Sequence, residues 1–127
     1  MIQADGKIDD VFGMELVLNL YDCDGKKVSQ AKSIRQFAVK LCDEVIGMKR
    51  YGRTLIPHFG HDNPITSGYS LVQLIETSSV TAHFSESKRA VYLNIFSCKW
   101  FDAGKAAQFC KEWFGAKAMT KRLLPRL

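Results

Sequence analysis

The chain has little that would extend, anchor or cross-link it. Only three prolines occur in 127 residues, and no repeat or low-complexity linker interrupts the sequence. That composition suits a compact fold rather than a disordered segment. No uncharged apolar run approaches the roughly 18 residues that span a bilayer, so no membrane helix is expected. The opening Met1-Ile2-Gln3-Ala4-Asp5-Gly6-Lys7 lacks a basic stretch followed by an apolar one, and a cytoplasmic location is expected. Cys23, Cys42, Cys98 and Cys110 never form a C-x-x-C pair, which argues against a zinc site, and a reducing cytosol argues against disulfides. His58 and His61 stand close together but lack a third ligand at suitable spacing, so no metal is expected. There is no block of Lys and Arg interleaved with aromatics and no zinc-finger spacing, so nucleic acid is not the expected partner.

What is present is a large apolar fraction, 46%, enough for one core and a single domain over residues 1–127. The net charge of +5 is concentrated in part near Lys117, Lys121, Arg122 and Arg126. It reads as a solvated basic surface that can attract an anionic substrate group.

Periodicity orders the elements. Met14, Leu16, Leu18 and Leu20 alternate with Glu15, Val17, Asn19 and Tyr21, as in a half-buried strand. Asp22-Cys23-Asp24-Gly25 carries turn chemistry, and Ser29 is placed to cap a helix over about 30–46 whose core stripe is Ile34, Phe37, Ala38, Leu41, Cys42 and Val45. Gly47 is placed to stop it. Strands follow at about 53–59, 68–76, 79–85 and 90–97. Asp102 caps a second helix through Ala106, Phe109, Cys110 and Trp113, Gly115 ends it, and 116–124 supplies a last strand. The order β-α-β-β-β-β-α-β predicts an α+β two-layer sandwich, an antiparallel sheet with two helices on one face.

Ser78 is the candidate for chemistry. A serine in a strained turn can attack the carbonyl before it, here that of Thr77, and convert an amide into an ester whose elimination leaves a pyruvoyl group. Taken singly, Ser78 is a hairpin serine, His83 a half-buried strand histidine, Ser70 a polar filler and Cys98 a small core residue. If residues 86–89 form a hairpin turn, the pairing sets Ser78 opposite Ser97 and beside Cys98. Along extended chain, Ser70 lies roughly 27 Å and His83 roughly 17 Å from Ser78. They reach it only if the chain folds sharply or a second subunit supplies them, and a two-fold homodimer with composite sites is expected. Phe59, Tyr69 and Phe84 could stack on an adenine ring, although each is ordinarily a packing residue.

The strand ending Tyr21-Asp22-Cys23-Asp24, Gly68-Tyr69-Ser70, Glu76-Thr77-Ser78, His83 and Ile95-Phe96-Ser97-Cys98 together resemble the prokaryotic S-adenosylmethionine decarboxylase family, which is pyruvoyl-dependent and self-processing. The resemblance covers most of the chain, and the separations of Ser70, Ser78, His83 and Cys98 match without a gap. It implies cleavage between Thr77 and Ser78, conversion of Ser78 into the pyruvoyl cofactor, assistance by His83 and Ser70, and proton donation by Cys98. The pyruvoyl group would form a Schiff base with the substrate amine and draw electrons as carbon dioxide departs. The implied activity is decarboxylation of S-adenosylmethionine, which supplies aminopropyl groups for spermidine synthesis.

Two positions depart from the family pattern. Thr77 rather than Glu precedes the serine, and Phe84-Ser85-Glu86-Ser87 replaces the usual Thr-Trp-Pro-Glu after the histidine. Two alternatives follow from them: a decarboxylase of ornithine or arginine on the same scaffold, and an unprocessed paralogue that binds S-adenosylmethionine or a partner without catalysis.

Overall fold

A computed structural model describes residues 11–127. Strand β1 spans Gly13–Tyr21, and a short helix α1 (Gly25–Val28) leads into helix α2 (Ala31–Lys40), which widens into a π turn over Leu41–Val45. Strands β2 (Arg50–Leu55), β3 (His58–Phe59), β4 (Gly68–Ile75), β5 (Ser78–Ser85) and β6 (Ala90–Ser97) follow, then helix α3 (Ala103–Phe114) and strand β7 (Ala118–Arg126). Six strands run in the order β2-β4-β5-β6-β1-β7, β3 adds to β4, and every pairing is antiparallel. The architecture is the expected two-layer sandwich, with three helices among the described residues instead of two.

The core forms where the alternating strand faces meet the helical stripe. Leu16, Leu18 and Leu20 of β1 and Val91, Leu93 and Ile95 of β6 are buried against Ile34, Phe37, Ala38, Leu41 and Cys42. Phe37 packs on three rings of α3, with centroids 4.7 Å from Phe114, 5.7 Å from Phe109 and 6.4 Å from Trp113, so the two long helices share an aromatic cluster above the sheet. Among the described residues no helix is long and apolar enough to cross a membrane.

Several local expectations are corrected. Ser29 does not cap the long helix: its hydroxyl donates back to the Gly25 carbonyl, and Asp24 caps α1 by accepting from the Lys26 and Lys27 amides. The helix expected over 30–46 changes character after Lys40, and the Ile46 amide bonds five residues back to Leu41. The widened turn keeps Leu41 and Cys42 in the core while re-aiming the chain, which brings Met48 to the sheet. Gly47 follows at a φ of 65°, a stop that costs glycine little. The strand expected over 53–59 is two pieces, because Tyr51 pairs with Leu74 and Leu55 with Val72, a register shift that breaks the ladder before β3. Asp102 and Gly115 cap α3 as expected, the latter at a φ of 62°.

Candidate active site

Ile75 pairs with Ser78, so the turn joining β4 to β5 has only two residues, Glu76 and Thr77. Thr77 has a φ of 61°. Glycine and asparagine occupy that left-handed region readily, whereas a β-branched side chain there is a steric outlier. Its hydroxyl donates to the Glu76 carbonyl, a local bond that offsets part of the cost. The peptide bond to Ser78 therefore leaves a residue under backbone strain of about 1–3 kcal/mol.

Two side chains address this bond. The Cys98 thiol donates to the Thr77 carbonyl oxygen, with the sulfur 2.8 Å away. It can do so because Ser97, the last residue of β6, lies directly opposite Ser78, leaving Cys98 just beyond the strand end and level with the turn. The Ser78 hydroxyl donates to Ser97 Oγ at 2.9 Å, and both serines are buried. Ser97 Oγ also accepts from the Lys99 amide at 2.9 Å and donates to Met48 Sδ at 3.5 Å. With its proton held by Ser97, Ser78 Oγ keeps lone pairs available to the adjoining carbonyl carbon. Gly13 lets β1 approach this corner: a Cβ there would stand 2.6 Å from the Ser97 carbonyl oxygen. A surface depression of about 150 Å³ beside Cys98 is bordered by Phe12, Met14, Lys99 and the exposed Trp100.

Ser70 and His83 are elsewhere in the chain. They face each other across β4 and β5, with Ser70 Oγ 3.0 Å from His83 Nδ1. The sharp fold at Glu76-Thr77 corrects the extended-chain separation of Ser70 from Ser78: both partners stand five pairs up the hairpin, roughly 17 Å from the serine. They also lie on the other face. Ser78 shares its side of β5 with the buried Val80, Ala82 and Phe84, whereas His83 is exposed on the face away from the helices. The expected four-residue set thus divides into Ser78 with Cys98 and Ser70 with His83.

Other candidates resolve individually. Phe84 is buried on Phe114, with ring centroids 5.4 Å apart, which removes it as an adenine platform. Tyr69 packs edge-on against His58, while Phe59 is exposed. His58 Nε2 lies 3.2 Å from a Glu86 oxygen, so the altered segment after His83 serves a histidine contact at the far end of β5. Among the described residues no group of three potential ligands could hold a metal. Cys23, Cys42 and Cys110 are buried, and burial pushes the thiols of Cys23 and Cys42 up to about 11 and about 12 and raises that of Cys110 further. They stay protonated and inert, which leaves Cys98 as the cysteine placed for chemistry. Ser97 stands opposite Ser78 as the hairpin pairing predicts, whereas Met48 was not expected in this corner. Met48 arrives through the π turn, which helical periodicity does not reveal.

The family profile of S-adenosylmethionine decarboxylase matches residues 14–127. Among solved structures, the crystal structure of the adenosylmethionine decarboxylase from Aquifex aeolicus VF5 superimposes with a TM-score of 0.75 at 16% identity, covering 91% of each chain, a likeness of fold. No curated protein sequence matches. With the family profile running from the first strand to the last residue, the chain belongs to the S-adenosylmethionine decarboxylase family.

Proposed function

We propose that the protein is a pyruvoyl-dependent S-adenosylmethionine decarboxylase that makes its own cofactor by cleaving between Thr77 and Ser78. The observation that carries this reading is the left-handed Thr77 whose carbonyl oxygen meets the Cys98 thiol while the Ser78 hydroxyl is held by Ser97. Donation to that oxygen polarises the carbonyl and stabilises the oxyanion that forms when Ser78 Oγ adds to the carbon. Collapse breaks the Thr77 C–N bond and leaves Thr77 esterified to Ser78 Oγ, with the freed amine on Ser78. Loss of the Ser78 Cα proton expels Thr77 as a carboxylate. Addition of water and departure of ammonia convert the resulting enamine into the ketone.

The residues fit the group. Its forerunner is buried at a strand start, and Cys98 lies beside it with a thiol that can protonate a carbanion at the same place. The pyruvoyl carbonyl supplies an electron sink for decarboxylation.

In this reading Ser70 and His83 act across a two-fold dimer. The exposed His83 and the half-buried Ser70 lie on the face away from the described helices, and with the exposed Leu74 and Tyr92 they support pairing of two sheets through that face. The dimer acts in the cytosol on S-adenosylmethionine and feeds spermidine synthesis.

Intact mass of purified, aged protein tests the proposal. Fragments 1–77 and 78–127 are expected, the second lighter by one ammonia than a serine-started peptide and reactive toward hydrazine. Full-length chain alone, with no carbonyl, overturns it. Carbon dioxide release from S-adenosylmethionine, ornithine and arginine then identifies the substrate.

A further inference from the structure

We propose that Met48 is a positioning residue for self-cleavage: acting through Ser97, its thioether fixes the direction in which the Ser78 hydroxyl points its proton. This role rests on cleavage between Thr77 and Ser78 as proposed. Among the described residues the Met48 sulfur bonds Ser97 and neither Thr77 nor Ser78, so its effect on the reacting hydroxyl passes through that one side chain.

A serine hydroxyl has one proton to give and two lone pairs to receive with. Ser97 uses all three. The Lys99 amide, 2.9 Å away, can only donate, so it occupies one lone pair of Ser97 Oγ. The Met48 sulfur, 3.5 Å away, can only accept, so it is a destination for the Ser97 proton and for nothing else. What remains on Ser97 is a lone pair, and Ser78 Oγ stands 2.9 Å from it. Ser78 therefore donates.

In the reverse polarity Ser97 would donate to Ser78 Oγ, and the Ser78 proton would have no acceptor, because among the described residues Ser97 is the one partner of that hydroxyl. Water is a poor substitute in this corner: Ser97 is fully buried, and Ser78 and Met48 are each 8% exposed. With the sulfur present, one arrangement pairs every proton. Without it, either arrangement leaves one buried proton unpaired, and the Ser78 hydroxyl loses its fixed direction. The reactive direction is the one the sulfur selects, since a proton aimed at Ser97 leaves the Ser78 lone pairs free for the Thr77 carbonyl carbon. Neither a thioether nor a hydroxyl is a base at neutral pH, so the pair aims the proton and does not remove it.

The backbone delivers the sulfur. The Ile46 amide bonds Leu41 at 2.9 Å and the Met48 amide bonds Cys42 at 2.8 Å, so the π turn and the residues after it are tied back onto the core. Gly47, at a φ of 65°, then turns the chain toward the sheet. Widened turns of this kind concentrate at functional sites, and here the turn sets the place of the residue that reaches Ser97. Ser97 is fixed independently, by pairing with Ser78 on one side and Met14 on the other.

The test follows self-cleavage of the full chain by intact mass against time. Met48→Leu removes the acceptor and conserves volume, a swap that cores tolerate, and denaturant melts check that the fold is kept. It is expected to slow cleavage about three- to tenfold, and Ser97→Ala about tenfold or more. The background at position 97 separates positioning from packing. Met48→Leu should slow the Ser97→Thr chain, which keeps a hydroxyl, by the same factor as wild type, and should add nothing to the loss in the Ser97→Ala chain. Cleavage of Met48→Leu at the wild-type rate overturns the proposal, and so does an equal slowing in all three backgrounds. Wild-type chain that never cleaves overturns the processing reading and this role with it, whereas wild type that cleaves beside an equally fast Met48→Leu overturns this role alone.

Discussion

Strand β5 is bounded by two turns that both contain a non-glycine residue at positive φ, yet they are built for different ends. At the far turn, Arg89 has a φ of 50°. Its neighbourhood supports it: the Lys88 amide bonds Ser85 Oγ at 3.3 Å, and the Arg89 carbonyl accepts from the Cys23 amide at 2.9 Å. Four residues share the reversal there. At the near turn two residues make it, the strained one is β-branched, and its carbonyl is met by a thiol. On the proposed self-cleavage, the contrast teaches that strain alone would not mark a reactive bond. What distinguishes Thr77 is strain placed one bond before a hydroxyl, with a proton donor on the carbonyl that would become an oxyanion.

Substitutions can break that contrast. The largest effect is expected for Ser78→Ala, which removes the attacking atom: the chain should stay intact by mass spectrometry and release no carbon dioxide. His83→Ala should lose most activity as well. Co-expression with Ser78→Ala should restore part of it, because one composite site of the mixed dimer keeps both residues, and no recovery in decarboxylation assays would refute a shared site. Cys98→Ala should lower decarboxylation by about 10²–10⁴-fold, the usual contribution of a positioned acid, in fragments that have already been processed.

Thr77→Gly sharpens the comparison. Relief of backbone strain should raise stability by about 1 kcal/mol while slowing self-cleavage several-fold, read by denaturant melts and by mass against time. Arg89→Gly should give the stability gain with no change in cleavage rate. Equal effects on cleavage from both would show that the two turns do not differ in function.

The smallest effect lies on the surface. The bond from Arg50 holds the Asp43 carboxyl below its ordinary range. A carboxyl lowered in the folded state contributes stability above its unfolded value and loses it as pH falls through the folded value. Arg50→Ala should therefore cost no more than about 1 kcal/mol near neutrality, and the difference from wild type should close on acidification below the usual carboxylate range.

Much of the layer architecture was legible because alternation and helical spacing survive burial: Leu16, Leu18 and Leu20, or Ile34, Phe37 and Leu41, are core residues for reasons visible in their intervals. The pairing of Ser78 with Ser97 was legible too, since a turn over 86–89 fixes the register between β5 and β6. The Ser70–His83 contact was not. It depends on the β4–β5 turn having two residues at Glu76-Thr77, and a one-residue error in a turn moves every opposed pair. Met48 was hidden behind the π turn, and Phe84, ordinarily a packing residue, stayed open as an adenine platform in the sequence, a role that its contact with Phe114 removes.

By itself the sequence determined which residue types exist in which order: a serine after a strained-turn threonine, a histidine five positions on and therefore on the opposite strand face, and apolar periods that commit the chain to a sheet with helices on one side. Tertiary structure alone decided that Cys98 meets the Thr77 carbonyl, that Ser97 holds the Ser78 proton, and that Ser70 and His83 form a separate pair. The physical reason is range. Local propensity and side-chain alternation act within a few residues, whereas these contacts depend on strand register and on the path of a widened helix, which are settled only when distant segments pack together.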